Sequence, residues 1–568
     1  MAHIYYRRFS MRKNGFCTFT LIVSLALAAL PSSLAAAGTG GATTPASAPS
    51  LPAQQEMTLT IAPASSDSYD PEGSSFTAYR VMSFTRGQDG NWVWGTANGF
   101  TYPGNGSFEA DALGSWPAAK LQNLAQQLAL QVDDTAMTDK LAEKSLTNGS
   151  CSWTTTKAGI YLVCETATKP GNFPSQPFLV ALPYTDEENE NSWKYSLTAA
   201  PKGSAISLQK VIHDAKGSYL NTAAYEGTMD TVANGDTVQY RITTRIPDYT
   251  QVFFENGKNP TFELEDTMAK GLTLAPATVK LTSGETDLVK DTDYTQSIST
   301  DADGITTLTL RLTRSYLEVE SHRNKELVLS YSVAVNDSVS LAADGNKNVV
   351  TLHYSYDPTD PDDTKKIEKE AKVYSFGIQV EKFNGDSDAA QKEKLAGAEF
   401  ALFKETTKGC SASEALSQEP CRAVGVTDEN GLLDFKALDA GTYYLKEVKA
   451  PDGYSLLMNP IKIEIIPAAS QGTNGAEVIN SGSFTAKVNG VTVPETGSEG
   501  VSRILNVANR EGTVVVSAAN HHGFSLPSTG GTGIVLLLVI SFAGLMIVTS
   551  LYLRGDRKAK GNSSLQAK

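Results

Sequence analysis

Signatures of catalysis are missing from this chain. It contains no G-x-S-x-G, H-E-x-x-H or Walker pattern, and no D-x-S-x-S of a metal-dependent adhesin domain, so a hydrolase reading has no local motif to stand on. Positive charge is short as well: 48 Lys and Arg stand against 62 Asp and Glu, for a formal charge of -14. That balance argues against nucleic acid as a partner and suits a soluble extracellular surface. Cysteine is scarce, at five residues of 568. Cys17 lies in an apolar N-terminal stretch, and the others form two close pairs, Cys151/Cys164 and Cys410/Cys421. Neither pair has C-x-x-C spacing or a nearby histidine, which disfavours a metal site. In an oxidising compartment each pair is expected to form a disulfide that stabilises by ~2 to 3 kcal/mol. Helical patterning is thin too, convincing only over Ala118 to Gln131.

What the sequence does have is concentrated first at its ends. Leu526-Pro527-Ser528-Thr529-Gly530 precedes an uncharged apolar run from Ile534 to Leu553, about the ~20 residues a helix needs to cross a bilayer. Arg554, Arg557, Lys558 and Lys560 follow, so the tail (554–568) is expected on the cytoplasmic side and everything before Ile534 outside. This arrangement resembles the cell-wall sorting signal of Gram-positive surface proteins, L-P-x-T-G, membrane stop and basic tail. The resemblance implies a sortase that cuts between Thr529 and Gly530. At the other end, Arg7, Arg8, Arg12 and Lys13 precede an apolar stretch and Ala35-Ala36-Ala37, a secretory signal peptide over 1–37. The following stretch, 38–56, is rich in Gly, Thr, Ala, Ser and Pro and reads as a flexible leader.

Between the ends about 470 residues remain, enough for about three domains at about 150 residues each. Segments such as Thr307–Leu312 and Lys325–Val333 alternate, or are β-branched and aromatic, between Gly, Asp and Asn turns. The fold class is therefore mainly β: three antiparallel, immunoglobulin-like β-sandwiches in tandem, expected over 57–202, 203–372 and 373–510, with a stalk at 511–530.

Inward-facing polar residues are the most informative feature of these strands. A period of two puts Glu165 with Tyr161 and Val163 in the first domain, but no lysine sits in its opening strand Met57–Ile61, so no cross-link other than the disulfide is expected there. In the second domain Lys210 shares a face with Ile206, Leu208 and Ile212. Asp266 shares one with Phe262 and Leu264, and Asn348 one with Val350, Leu352 and Tyr354. In the third, Lys382 goes with Ile378 and Val380, Glu447 with Tyr443 and Leu445, and Asn506 with Ile504. Leaving a lysine, an acid and an amide unpaired in a core would cost several kcal/mol, so each set is expected to meet. Asn346 and Asn509 are the alternatives for the two asparagines. Desolvation favours a neutral, nucleophilic amine and a protonated acid that polarises the amide. The same residues could instead build a buried ion pair without a covalent bond.

Two further resemblances bear on these residues. Tyr443 to Tyr454 is similar to the pilin E-box, Y-x-L-x-E-T-x-A-P-x-G-Y, with Val448 in place of Thr. It implies a collagen-adhesin B (Cna-type) domain with a spontaneous Lys-Asn isopeptide bond, Lys382 to Asn506 promoted by Glu447, and by analogy Lys210 to Asn348 promoted by Asp266. Trp193 to Lys202 resembles the pilin motif W-x-x-x-V-x-V-Y-P-K, with Leu197, Ala199 and Ala200 replacing Val, Val and Tyr. It implies that Lys202 attacks the sortase-bound threonine of the next subunit. Taken together the chain resembles a sortase-assembled Gram-positive shaft pilin. The implied partners are a pilin-specific and a housekeeping sortase, identical subunits, minor tip and base pilins, peptidoglycan and a surface receptor. The rival is a monomeric wall-anchored adhesin. Asp357, Asp360, Asp362 and Asp363 could hold calcium between domains, a solvated linker being the alternative. His521-His522 is read as stalk, and Arg554-Gly555-Asp556 as an accidental integrin tripeptide on the cytoplasmic side.

Overall fold

A computed structural model describes most of residues 55–523, together with 540–550. The chief stretches outside the description are 1–54, 103–112, 186–192, 214–225, 406–421, 506–510, 524–539 and 551–568. Three β-rich units follow one another along the chain, as expected.

In the first unit a five-stranded sheet is covered on both faces. Its central strands are Ser75–Arg86 and Gly159–Ala167, flanked by Trp92–Thr96, Lys140–Ser145 and Phe178–Leu182. Alternate residues therefore enter two separate cores. Phe76, Tyr161, Val163 and Val180 pack toward a small sheet of Ser196–Ala199, Met57–Ile61 and Cys151–Thr155. Tyr79, Ile160, Leu162 and Leu179 pack toward the helix Ala118–Ala129, which contributes Leu121, Leu124, Ala125 and Leu128.

This two-faced packing corrects the expected Cys151–Cys164 disulfide. Cys151 belongs to the core beneath the small sheet, whereas Cys164, on the opposite parity from Tyr161 and Val163, packs toward the helix. Both are free thiols, and burial pushes them up, Cys151 to about 11 and Cys164 to about 12. Cys410 and Cys421 lie outside the described residues.

The second unit is a sandwich of a seven-stranded and a six-stranded sheet. The first contains Leu208–His213, Thr237–Arg245 and Glu326–Val335; the second contains Phe262–Met268, Asn346–Ser355 and Thr364–Tyr374. Burial alternates strictly along Phe262–Met268 and nearly so along Glu326–Val335, which is the signature of strands with one face on the core.

The third unit packs a four-stranded sheet on a six-stranded one. The four-stranded sheet has the order Leu432–Leu438, Phe376–Asn384, Thr513–Asn520, Arg503–Leu505. Its two central strands, Phe376–Asn384 and Thr513–Asn520, are the first and last of the unit in chain order and run parallel, with Lys382 opposite Ala518 and Asn384 opposite Asn520. The unit thus reaches Asn520, past the expected boundary at 510, and the first part of the expected stalk is a core strand: Val514, Val516 and Ala518 are all buried. His521 and His522 are likewise tied to this unit, flanking the Asp386 carboxylate at 2.6 and 3.0 Å.

The second and third units are joined by buried polar contacts. Ser375 Oγ donates to the carbonyls of Val232 and Leu438 at 2.9 and 3.2 Å. Thr231 Oγ1 donates to Asp439 Oδ1 at 2.5 Å, and Lys404 Nζ pairs with Asp439 Oδ2 at 2.7 Å. Of the expected span at 534–553, residues 540–550 are described and are helical. Among the described residues no helix is long and apolar enough to cross a membrane.

Two buried triads and an exposed lysine

Lys210, Asp266 and Asn348 converge in the middle of the second sandwich. The strand Leu208–His213 carries Lys210 inward from one sheet; Phe262–Met268 and Asn346–Ser355, antiparallel neighbours in the other, carry Asp266 and Asn348. All three are at most 2% exposed. Lys210 Nζ donates to Asp266 Oδ1 and Oδ2 at 2.7 and 2.8 Å and to Asn348 Oδ1 at 2.9 Å. Asn346, the alternative asparagine, is occupied elsewhere: it accepts from the Ser340 amide at 2.8 Å and donates to the carbonyls of Ser340 and Val373.

A fourth group belongs to this site. Tyr331 Oη donates to Asp266 Oδ2, while accepting from Lys210 Nζ at 3.1 Å and from Asn348 Nδ2 at 2.8 Å. Its ring stacks on Tyr240 at 5.6 Å, and Lys210 Nζ lies 5.2 Å from the centre of the Tyr240 ring. Desolvation in this aromatic box lowers the Lys210 amine to about 8 even though Asp266 opposes the shift. Burial, reinforced by the Asp266 charge, raises the Tyr331 phenol and keeps it neutral. Tyr331 shares its inward face with Leu329 and Val333, so the alternation that exposes Lys210 and Asp266 to inspection also carried the signal for this residue.

The third unit repeats the chemistry with different strands. Lys382 and Asn520 come from the two parallel central strands of one sheet, and Glu447 from the strand Gly441–Lys449 of the other. Lys382 Nζ donates to Asn520 Oδ1 and lies 3.3 Å from Glu447 Oε1, which also accepts from Asn520 Nδ2 at 2.9 Å. The backbone amide of Leu457, just past the E-box, holds the other Glu447 oxygen at 2.7 Å. Burial against Phe400 lowers the Lys382 amine to about 8, with Glu447 again opposing. The asparagine at this site is Asn520 in place of the expected Asn506. Asn506 and Asn509 lie outside the described residues.

Lys202 is exposed, between the strands Ser196–Ala199 and Ser204–Ala205 at the junction of the first two units. The preceding Pro201 is buried. Behind Lys202, the Gly203 Cα abuts the Tyr69 ring so closely that an added Cβ would lie 2.1 Å from the phenol oxygen. The segment is therefore seated on the first unit with the lysine side chain facing outward. In the same unit Glu165 accepts from the Ser175 amide at 2.7 Å, and burial raises its carboxyl. The sorting residues Leu526, Pro527, Ser528, Thr529 and Gly530 lie outside the described residues. Asp357, Asp360, Asp362 and Asp363, expected between the second and third domains, instead fall in the loop that joins Asn346–Ser355 to Thr364–Tyr374 within the second unit, where Asp363 accepts from Tyr356 at 2.7 Å. Among the described residues no group of three or more His, Cys, Asp or Glu converges as a metal site.

Comparison with known proteins points one way. Residues 234–358 match the model of the Gram-positive pilin backbone subunit 2, Cna-B-like domain, and residues 379–481 match that of a prealbumin-like fold domain. The chain is 26% identical over 424 residues to fimbrial subunit type 1 of Actinomyces viscosus, covering 66% of this chain and 75% of that one. It is 25% identical over 440 residues to fimbrial subunit type 2 of Actinomyces naeslundii, covering 72% and 71%. In fold it is similar to the three-domain T6 backbone pilin of Streptococcus pyogenes, with a TM-score of 0.55 at 19% identity over 84% of this chain and 100% of that one. In its two domain matches and its fimbrial relatives alike, the chain is similar to the backbone pilins of Gram-positive bacteria, structural subunits of surface fimbriae.

Proposed function

We propose that this pilin is polymerised covalently: a pilin-specific sortase joins Thr529 of one subunit to Lys202 of the next, and a housekeeping sortase attaches the finished fibre to peptidoglycan. The carrying observation is where the two triads sit along the chain relative to Lys202. Lys210 follows Lys202 on the very next long strand, and Asn520 lies six positions before Leu526 of the sorting motif.

In this reading each triad closes an isopeptide bond. The neutral lysine amine attacks the asparagine carbonyl carbon, the acid polarises the amide and moves protons, and ammonia leaves. Both amines are held low enough by burial for the neutral form to be accessible near neutral pH. A pull on the fibre then enters at Lys202, crosses from Lys210 to Asn348, continues to Lys382, crosses to Asn520 and leaves at Thr529. The strands between each pair of bonded residues are bypassed, so tension does not unzip them. The first unit lies off this path, in keeping with an opening strand, Met57–Ile61, that carries no lysine.

Immunoblots of wall extracts test the linkage. Lys202→Ala is expected to abolish the SDS-resistant ladder while the monomer remains secreted and attached through Thr529. Full-length polymers from that variant would mean that another lysine carries the joint; a single band from the unaltered chain would favour a monomeric adhesin.

A further inference from the structure

The two triads differ in how the acid reaches the amide nitrogen that must leave. In the third unit Glu447 Oε1 touches Asn520 Nδ2 directly at 2.9 Å. In the second, Asn348 Nδ2 donates instead to Tyr331 Oη at 2.8 Å, and it is Tyr331 that hydrogen-bonds to Asp266 Oδ2. Asp266 is engaged by Lys210 through both of its oxygens, so the phenol stands between the acid and the leaving group. A hydroxyl is both donor and acceptor and can pass a proton along such a line without ionising.

We propose that Tyr331 is a catalytic residue of the second unit's bond formation, relaying the proton from Asp266 to the departing Asn348 nitrogen. The proposal rests on the reading that Lys210 and Asn348 become covalently joined. Proton transfer within the ion pair first leaves Lys210 as the amine and Asp266 as the acid. The Lys210 lone pair forms the new bond to Asn348 Cγ, and the carbonyl electrons move onto Oδ1. Tyr331 gives its hydroxyl proton to Nδ2 as Asp266 gives its own to Tyr331 Oη. The oxyanion electrons return, the Cγ–Nδ2 bond breaks and ammonia departs. Asp266 takes the surplus proton from the new amide nitrogen. The products are an amide carrying one hydrogen, a neutral Asp266, an intact Tyr331 and one ammonia, which accounts for every proton present at the start. The third unit needs no such relay because Glu447 spans lysine and amide by itself.

The wall of the site has the shape this role requires. Tyr331 is fixed by stacking on Tyr240 and by its place on the Glu326–Val335 strand, so removing the hydroxyl alone leaves the ring packing intact.

The test is the full chain made by cell-free synthesis, quenched in acid at intervals and mapped for the Lys210–Asn348 and Lys382–Asn520 cross-linked peptides. Tyr331→Phe is expected to slow the first cross-link about 100-fold or more, the usual size of a general acid's contribution, and to leave the second at its normal rate. The second cross-link reports in the same molecule that the chain folds. Tyr331→Phe forming the first bond at the unaltered rate would overturn the relay, as would an equal slowing by Tyr240→Phe, which would show that the effect is not particular to the Tyr331 hydroxyl. If Tyr331→Phe perturbs folding, fluorotyrosine placed at 331 keeps the shape and makes the phenol more acidic; it is expected to change the rate of the first bond alone, and no change overturns the relay. Absence of the Lys210–Asn348 peptide from the unaltered chain would instead refute the bond, and the relay with it.

Discussion

Asn520 sits beside Lys382 although 138 positions separate them in the chain. The strands that carry them run parallel and adjacent, the first and last of the third unit. A bond between them would clasp the two ends of the domain, which is where a fibre under tension would load it.

The identity of this asparagine is open to direct measurement. Intact mass of the ectodomain is expected to fall short of the sequence mass by one ammonia for each triad, hence two. Asn520→Ala should recover one of them, whereas Asn506→Ala and Asn509→Ala should leave the deficit unchanged. An Asn520→Ala protein still lacking two ammonias would sink the assignment.

With the bond blocked, Lys382 should reveal its burial through pH. Burial lowers its amine to about 8 against 10.5 in the unfolded chain, and an Asn520→Ala background is expected to keep that direction because Phe400 and Glu447 remain. Between those values the unfolded chain holds the extra proton, so stability rises with pH across that window and is flat below about pH 8. The shift corresponds to about 3 kcal/mol of destabilisation at neutral pH. Denaturant unfolding of Asn520→Ala, with and without Lys382→Met, isolates this slope. A pH-independent difference between the two variants would contradict it.

Cys151 and Cys164 face different cores across one sheet. Both should therefore be recovered as alkylated peptides when the purified protein is unfolded in the presence of an alkylating agent and no reductant. Alkylation of the folded protein should be slow at both, since burial raises the two thiols and depletes the reactive thiolate. A Cys151–Cys164 linked peptide would refute this packing.

The joint between the second and third units centres on Asp439, which is fully buried and whose carboxyl is raised to about 6 by desolvation despite the Lys404 partner. Thr231→Val removes the hydroxyl that donates to it from across the joint and should cost roughly 1 to 3 kcal/mol. Calorimetry should show the loss in the transition of the linked units and not in that of the first. An unchanged profile would mean that the contact contributes nothing to coupling them.

Much of the site was legible because a strand's side chains alternate. Lys210, Asp266 and Asn348 each interrupt an apolar face, as do Lys382 and Glu447, and a buried charge without a partner is too costly to be an accident. Tyr331 carried the same signal on its strand but reads as ordinary core, since a tyrosine on an apolar face has no charge to betray it. Asn520 was hidden differently. The run Val514, Val516, Ala518, Asn520 alternates as clearly as any other, yet nothing local says that this strand, lying beyond the expected domain end, returns to pair with Phe376–Asn384.

The sequence by itself determined the β character of the chain, its three-unit layout and which polar side chains must turn inward, because period, turn residues and the cost of burying charge act over a few neighbouring residues. Only the tertiary structure decided which of those side chains meet. Partnering Lys382 with Asn520, setting Tyr331 between Asp266 and Asn348, and parting Cys151 from Cys164 all follow from strand order and from the face each strand presents. Those are outcomes of long-range packing of whole sheets, to which residues hundreds of positions apart contribute at once and which no short window of sequence contains.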